Sequence, residues 1–251
     1  MQEELQPLIV HLIELRQRLL RSVVVLAVVF FSLIAWSNDI FHLLALPLLK
    51  ALKALPVQGE MIATEVTTPF FVPMKVTAMV AFIITLPHTL YQAWSFVAPG
   101  LYQHEKRFAL PVLASSVVLF IVGMAFAYFL VFPVVFGFMT TSAPQGVKMS
   151  TDIDKYVSFV LGMFLAFGCT FEVPVVVVLL AKMGFVSVTK LREARPYVIV
   201  GAFVIAAIVT PPDVLSQVML AVPLWVLYEV GLLIARVWIA SPEKDLVEPN
   251  T

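Results

Sequence analysis

Six long apolar runs constrain this 251-residue chain more than any other feature of its sequence. A helix needs about 20 apolar residues to cross a hydrocarbon core roughly 30 Å thick. Hydrophobic residues make up 61% of the chain and charged residues only 13%, which is unlike a soluble domain. The sequence therefore predicts an all-α membrane protein with six transmembrane helices. The predicted spans are 19–36, 70–94, 108–138, 156–183, 197–210 and 214–239.

The basic residues are concentrated on one side of the membrane, and this bias predicts the orientation of the helices. If the N-terminus is inside, eleven of the sixteen lysine and arginine residues lie in cytoplasmic segments. Cytoplasmic loops of membrane proteins carry such an excess, so both termini are predicted to be cytoplasmic. The chain is then one polytopic domain over 1–251, with an amphipathic helix at 1–18 on the cytoplasmic surface and a cytoplasmic tail at 240–251. The periodic leucines at 5–19 support that surface helix.

The segments between and within the spans predict several local features. The stretch 38–69, interrupted by prolines and a glycine, is interpreted as a structured outer cap of short helices. The third run is too long for the bilayer core and must tilt, bend or project, whereas the fifth is short and forms a hairpin with the sixth. In the fourth run, Ser158, Gly162 and Ala166 form a small-residue stripe that predicts close helix packing.

Several classes of function are disfavoured by what the sequence lacks. No phosphate-binding glycine loop, zinc-protease motif or metal-spaced Cys/His cluster occurs, so neither an enzyme nor a bound cofactor or metal is expected. The net charge is zero, without a dense basic cluster, which argues against nucleic-acid binding. Cys169 is the lone cysteine and is expected to pack within the fourth span.

Two carboxylates, Glu14 and Glu105, stand at the mouths of apolar runs on the same predicted membrane face. Two fixed carboxylates on one rim suit two guanidinium groups, because the planar arginine fork matches carboxylate geometry and the lysine point charge does not. The alternative is that Glu14 simply pairs with Arg18 one helical turn away. That alternative leaves Glu105 unexplained.

Glu172 is an ionisable residue deep within the fourth run, where a carboxylate is costly unless it is protonated, paired or hydrated. It is a functional candidate, or alternatively a protonated acid hydrogen-bonded to Tyr128 or Gln217. Asp213 follows Pro212 and suits an N-cap of the sixth helix. Glu229 and Arg236 lie near the inner end of that helix, where they are expected to extend toward the interface.

Several motifs in a fixed order resemble the TatC family, the polytopic core of the twin-arginine protein translocase. The resemblance covers nearly the whole chain. The motifs are His11-Leu-Ile-Glu-Leu-Arg16, Pro69-Phe-Phe, Tyr91-Gln-Ala-Trp-Ser-Phe-Val-Ala-Pro-Gly-Leu-Tyr102, His104-Glu-Lys-Arg107, Phe171-Glu-Val-Pro174, Arg195-Pro-Tyr197 and Thr210-Pro-Pro-Asp-Val-Leu-Ser-Gln217.

The resemblance implies a signal-peptide receptor that exports folded proteins by means of the proton gradient. It implies that Glu14 and Glu105 receive the arginine pair of the signal, with Arg16 and Phe96 shaping the patch. It also implies that Glu172 lies on a concave membrane face.

The implied partners are precursors with twin-arginine signals, membrane lipid, further copies of the chain, and TatA-type and TatB-type single-span subunits. The resemblance connects these subunits with Asp213 and Gln217. The absence of an Arg/Ser-rich transit peptide favours the bacterial plasma membrane as the location.

Two other functions stay open at the level of the sequence. One is a proton-coupled transporter that uses Glu172 as its relay, although no internal inverted repeat supports it. The other is a structural scaffold for small membrane partners.

Overall fold

The structure, a computed structural model, describes residues 2–43, 60–97, 106–141, 150–209 and 214–239. Within these ranges, five helical stretches are long and apolar enough to cross a membrane, and a shorter apolar helix precedes the last of them. Together they give the six predicted spans. The helices are α1 (Gln2–Leu33), α2 (Thr68–Val97), α3 (Lys106–Phe126), α4 (Phe132–Thr141), α5 (Ile153–Phe171), α6 (Val173–Lys182), α7 (Val188–Glu193), α8 (Arg195–Val209) and α9 (Val214–Ile239).

The first span begins within a helix that already runs through the predicted surface segment. Residues 5–19 are helical as expected, but α1 continues past them without a break. A 3₁₀ turn at Ile34–Trp36 follows, and residues 37–43 are again helical. One rod therefore carries the N-terminal motif and the first span, which fixes the position of Glu14 relative to the membrane.

The second and third spans are long helices, and the third contains a local irregularity. α2 continues through Pro73 and Pro87 without a break. α3 and α4 are joined by a π-helical turn at Ala127–Val131, giving an unbroken helical run from residue 106 to 141. A straight helix of that length is roughly 54 Å long, well beyond a hydrocarbon core of about 30 Å.

The fourth span is interrupted, the fifth is short, and the sixth is regular. α5 ends at Phe171 and α6 begins at Val173, with Glu172 at the break. α8 has 15 residues, a rise of roughly 22 Å, which agrees with the predicted short hairpin. α9 coincides with the predicted range 214–239.

Close packing of α3 against α5 depends on two glycines. A Cβ atom on Gly123 would lie 2.5 Å from the Phe167 carbonyl oxygen, and one on Gly168 would collide with the Phe120 ring. The predicted stripe has a different environment, because Ser158 is exposed and a Cβ on Gly162 would meet nothing within 4 Å. Ala166 of the stripe packs against the core, but the close approach of α3 to α5 is at Gly123 and Gly168 instead.

The outer side holds a short β-pair that the sequence does not predict. β1 (Glu60–Ile62) pairs in parallel with β2 (Ser150–Asp152), with Glu60 opposite Ser150. Residues 60–67 are thus strand and turn rather than the expected cap of short helices, and residues 44–59 lie outside the described ranges. This pair joins the segments that enter the second and fourth spans.

Polar contacts strengthen the same outer junction. The Thr64 hydroxyl donates to the Asp152 carboxylate, and the Lys155 N–H donates to Asp152 Oδ1 at 2.9 Å, which caps α5. These bonds, the Thr64 bond first, hold the pKa of Asp152 below its ordinary value. Lys75 Nζ on α2 lies 2.6 Å from Asp154 Oδ1 in the first turn of α5.

The interior is rich in aromatic rings, whereas the outward faces remain apolar. Phe132 and Phe167 are fully buried, and the Phe126 and Phe167 rings lie 5.5 Å apart. Large apolar side chains such as Phe129 and Ile208 are exposed on the outside. Such a surface is stable in lipid rather than in water, so the helices are placed as a membrane bundle.

Candidate functional site

The cytoplasmic rim is built where the N-terminal part of α1 meets the C-terminal end of α2. The His11 ring stacks on the Phe96 ring, with centroids 4.1 Å apart and an interplanar angle of 13°. The structure therefore brings the predicted residues Glu14 and Phe96 to one place, because Glu14 lies one turn after His11. His11 itself was not assigned a role from the sequence.

Glu14 is engaged by an arginine of the same helix. Arg18 donates to Glu14 Oε1 from both Nε, at 2.9 Å, and Nη2, at 2.6 Å. The other carboxylate oxygen, Oε2, faces His11 Nδ1 at 3.9 Å, which is too far for a hydrogen bond. The intrahelical pair that the i,i+4 spacing allows is thus present, and the Arg18 charge already neutralises the Glu14 carboxylate.

Gln92 on α2 completes this cluster, although it is not among the predicted rim residues. Arg18 Nη1 lies 3.3 Å from Gln92 Oε1, so a single guanidinium spans both helices. The Gln92 amide nitrogen lies 3.5 Å from a ring nitrogen of His88. Gln92 is buried, at 6% exposure, and an amide in an otherwise apolar helix is the signal that sequence reasoning could have used.

The remaining predicted rim residues are placed less fully. Arg16 is exposed and follows Glu14 by two positions, so it points to a different side of α1. Glu105 lies outside the described residues. Its place beside Glu14 stays a prediction from topology and resemblance.

Glu172 stands at the interruption of the fourth span because Pro174 cannot donate a backbone hydrogen bond. Its own N–H donates to the Cys169 carbonyl at 3.1 Å, and its carbonyl accepts from Val176 at 3.0 Å. The residue itself keeps a right-handed helical conformation, with φ −76° and ψ −16°. A polar side chain at such a break is held at a defined depth by two helices rather than one.

The Glu172 carboxyl is buried, at 8% exposure, without a hydrogen bond. Within the described part of the chain, neither carboxyl oxygen has a partner. The nearby Ser116 hydroxyl, which accepts from the Trp94 indole N–H at 2.9 Å, keeps its own O–H as a candidate donor to this carboxyl. A buried polar group without a partner destabilises the fold, so Glu172 is a candidate functional position.

The structure does not bring the expected partners to Glu172. The Tyr128 hydroxyl donates to the Leu43 carbonyl at 3.5 Å, and its ring packs against Phe164. Gln217 is half-buried on α9, while Asp213 lies outside the described residues. Cys169 is exposed one turn before Glu172, so the expectation that it packs inside is wrong.

A second ion pair lies at the cytoplasmic ends of α8 and α9. Arg195 Nη2 and Glu229 Oε2 are 2.5 Å apart, beside a cleft that is also lined by Trp225 and Arg236. The Tyr228 hydroxyl donates to the Leu191 carbonyl at 2.6 Å and ties α9 to α7. Glu229 therefore has a specific partner instead of simply reaching the interface.

Among the described residues, no group of three or more histidine, cysteine, aspartate or glutamate side chains could hold a metal ion. Within those ranges, the cytoplasmic rim binds a guanidinium, and the fourth span holds a buried acid without a hydrogen-bond partner. Such an arrangement is suited to recognising a cationic segment at the membrane surface.

Comparison with known proteins agrees with this geometry. The family model of the Sec-independent protein translocase protein TatC matches residues 10–223. TatC of Escherichia coli (strain K12) is 53% identical over 239 residues, covering 95% of this chain and 92% of that protein. TatC of Haemophilus influenzae is 51% identical over 248 residues, covering 99% and 96%.

Solved structures agree as well. A crystal structure of the twin-arginine translocase receptor TatC superposes with a TM-score of 0.79 at 39% identity, covering 90% of this chain and 98% of that one. A second structure of that receptor, in the detergent DDM, gives a TM-score of 0.80. On sequence and structure alike, the chain belongs to the TatC family.

Proposed function

We propose that this chain is the signal-peptide receptor and core subunit of a twin-arginine translocase, and that its cytoplasmic rim binds the arginine pair of an export signal. The observation that carries the proposal is the Glu14 carboxylate, which already holds an arginine guanidinium through two nitrogens. Both nitrogens donate to one oxygen, Oε1, so the carboxylate accepts a guanidinium through charge-assisted hydrogen bonds.

The family relationship defines the general setting. The chain is a multi-pass protein of the bacterial inner membrane and a component of a protein translocase rather than an enzyme. It works with other components of the twin-arginine system. Cargo proteins cross already folded, and the proton gradient drives their export.

The stacked rings beside Glu14 support recognition of a peptide rather than of a free cation. Phe96 is half-buried and His11 is exposed, so together they offer a flat apolar edge next to the carboxylate. A signal arginine placed at Glu14 would have its aliphatic stem along that edge. Glu105 receives the second arginine in this proposal, and Arg16 borders the patch.

Glu172 has a later role in the proposed cycle. The apolar part of the signal enters beside the break between α5 and α6, where an acid without a described partner is available to a polar group of the signal or to water. Tyr128, which is bonded to the Leu43 carbonyl and packed against Phe164, has no part in this step. TatA-type and TatB-type subunits then bind near Asp213 and Gln217, beside the short α8.

Photocrosslinking with signal peptides tests the receptor assignment directly. A probe beside Glu105 is expected to capture an Arg-Arg peptide strongly and its Lys-Lys counterpart weakly. Glu105→Gln should abolish the capture. Glu193→Gln is the matched control, since it removes an exposed carboxylate from α7 on the same membrane face. Unchanged capture by Glu105→Gln would contradict the proposed role of that carboxylate.

A further inference from the structure

Arg18 makes, within the protein, the contacts that the proposed function assigns to a signal arginine. Its Nε and Nη2 atoms bind Glu14 Oε1, and its Nη1 atom reaches Gln92. The Arg18 side chain is 22% exposed and the Glu14 side chain 37%, so the pair lies at the surface of the rim. A soluble peptide can reach it there.

We infer that Arg18 is an internal occupant of the signal site, which an incoming arginine must displace from Glu14. This inference rests on the proposed function, because it concerns the same carboxylate. It adds that Arg18 lowers the apparent affinity of the site for a signal peptide.

Displacement leaves Arg18 with a partner. Nη1 binds Gln92, which belongs to α2 and is buried, while the two nitrogens that hold Glu14 are on the opposite part of the guanidinium. When a signal arginine takes Oε1, Arg18 keeps its bond to Gln92 and turns its other nitrogens to solvent. Exchange therefore breaks only the surface part of the contact.

The expected size of the effect follows from the exposure of the pair. Partly exposed ion pairs between residues one helical turn apart are weak, and their loss corresponds to about a two- to fivefold change in an equilibrium constant. A competing occupant lowers the apparent affinity by the fraction of sites that are open. This factor is the same for every ligand that must displace Arg18, so Arg18 affects affinity and leaves the preference for Arg-Arg over Lys-Lys unchanged.

The experiment measures binding of fluorescent Arg-Arg and Lys-Lys signal peptides to the full chain in lipid nanodiscs. Arg18→Gln should bind both peptides about two- to fivefold more tightly than Arg21→Gln. Arg21 is exposed on the same helix, so its variant matches the change in net charge.

Equal or weaker binding by Arg18→Gln relative to Arg21→Gln would overturn the inference, since Arg18 would then orient Glu14 rather than occupy it. A third variant separates this failure from failure of the proposed function. Glu14→Gln should weaken Arg-Arg binding, and adding Arg18→Gln to it should change nothing further. If Glu14→Gln bound the peptide as the unmodified chain does, the receptor proposal itself would fail at Glu14.

Discussion

The cytoplasmic rim and the break in the fourth span hold their carboxylates in opposite ways. Glu14 is partly exposed and bonded to Arg18, whereas Glu172 is buried and has no hydrogen bond within the described residues. A paired surface carboxylate can exchange one cation for another at little cost. An unpaired buried carboxyl destabilises the resting protein, and this cost is removed when a hydrogen-bond partner binds it. The rim thus suits reversible docking, and the break suits a step that follows it.

The largest expected effect is the loss of recognition at the rim. Glu14→Gln keeps the shape of the side chain but removes the charge that binds a guanidinium. Hydrogen bonds to charged groups contribute about 1.5–3 kcal/mol, so binding of an Arg-Arg peptide should weaken about 10- to 100-fold. Peptide titration measures this, and a loss below threefold would argue against the assigned role.

At the break, the same substitution should separate docking from transport. Glu172→Gln removes the ionisable proton and leaves the rim untouched, so peptide binding should match that of the unmodified chain while export slows. Export by membrane vesicles measures the second property. If the variant exported cargo at the rate of the unmodified chain, Glu172 would have only a structural role, and the proposed functional difference between the break and the rim would be wrong.

The packing beside the break predicts opposite effects of one substitution at two glycines. Gly123→Ala places a Cβ against the backbone of Phe167 and should cost about 1–3 kcal/mol of stability. Gly162→Ala meets nothing and should be neutral or stabilising by up to about 1 kcal/mol, because alanine favours a helix. Thermal unfolding in detergent distinguishes them, and equal values would show that α3 and α5 can separate freely.

The smallest effect concerns a third carboxylate, Asp152, which a neutral hydroxyl holds at the outer surface. Since the folded pKa of Asp152 lies below its ordinary value, its contribution is present above that value and is lost as the pH falls through the folded pKa. Thr64→Val should raise the pKa and move this loss to higher pH. Acid unfolding profiles below about pH 5 test the shift, with Thr67→Val as the control in the same turn.

Run length and helical spacing account for the parts that the sequence predicts well. The six spans follow from hydrophobic length alone, and the Glu14–Arg18 pair follows from residues four positions apart on one helix. Gln92 could not be found in this way, because its contact with Arg18 crosses from α2 to α1. Contacts between distant segments carry no periodic signal.

The incorrect expectations share this cause. Small residues at Ser158 and Gly162 mark a smooth face, but spacing does not say whether another helix covers it, and here Gly123 and Gly168 carry the close contact instead. The strand Glu60–Ile62 is too short to show alternation, and its partner is distant in the chain. Sequence reasoning finds elements more readily than it finds their neighbours.

The parallel pairing of β1 with β2 has a consequence for the biosynthesis of the protein. About 90 residues separate Glu60 from Ser150, so at 5 to 20 residues per second a ribosome adds the second strand roughly 5 to 20 s after the first. During that interval β1 presents an unpaired edge on the outer side. β1 and β2 can pair only after the second and third spans have been inserted with the correct orientation. Formation of the pair therefore depends on correct insertion of the first half of the chain.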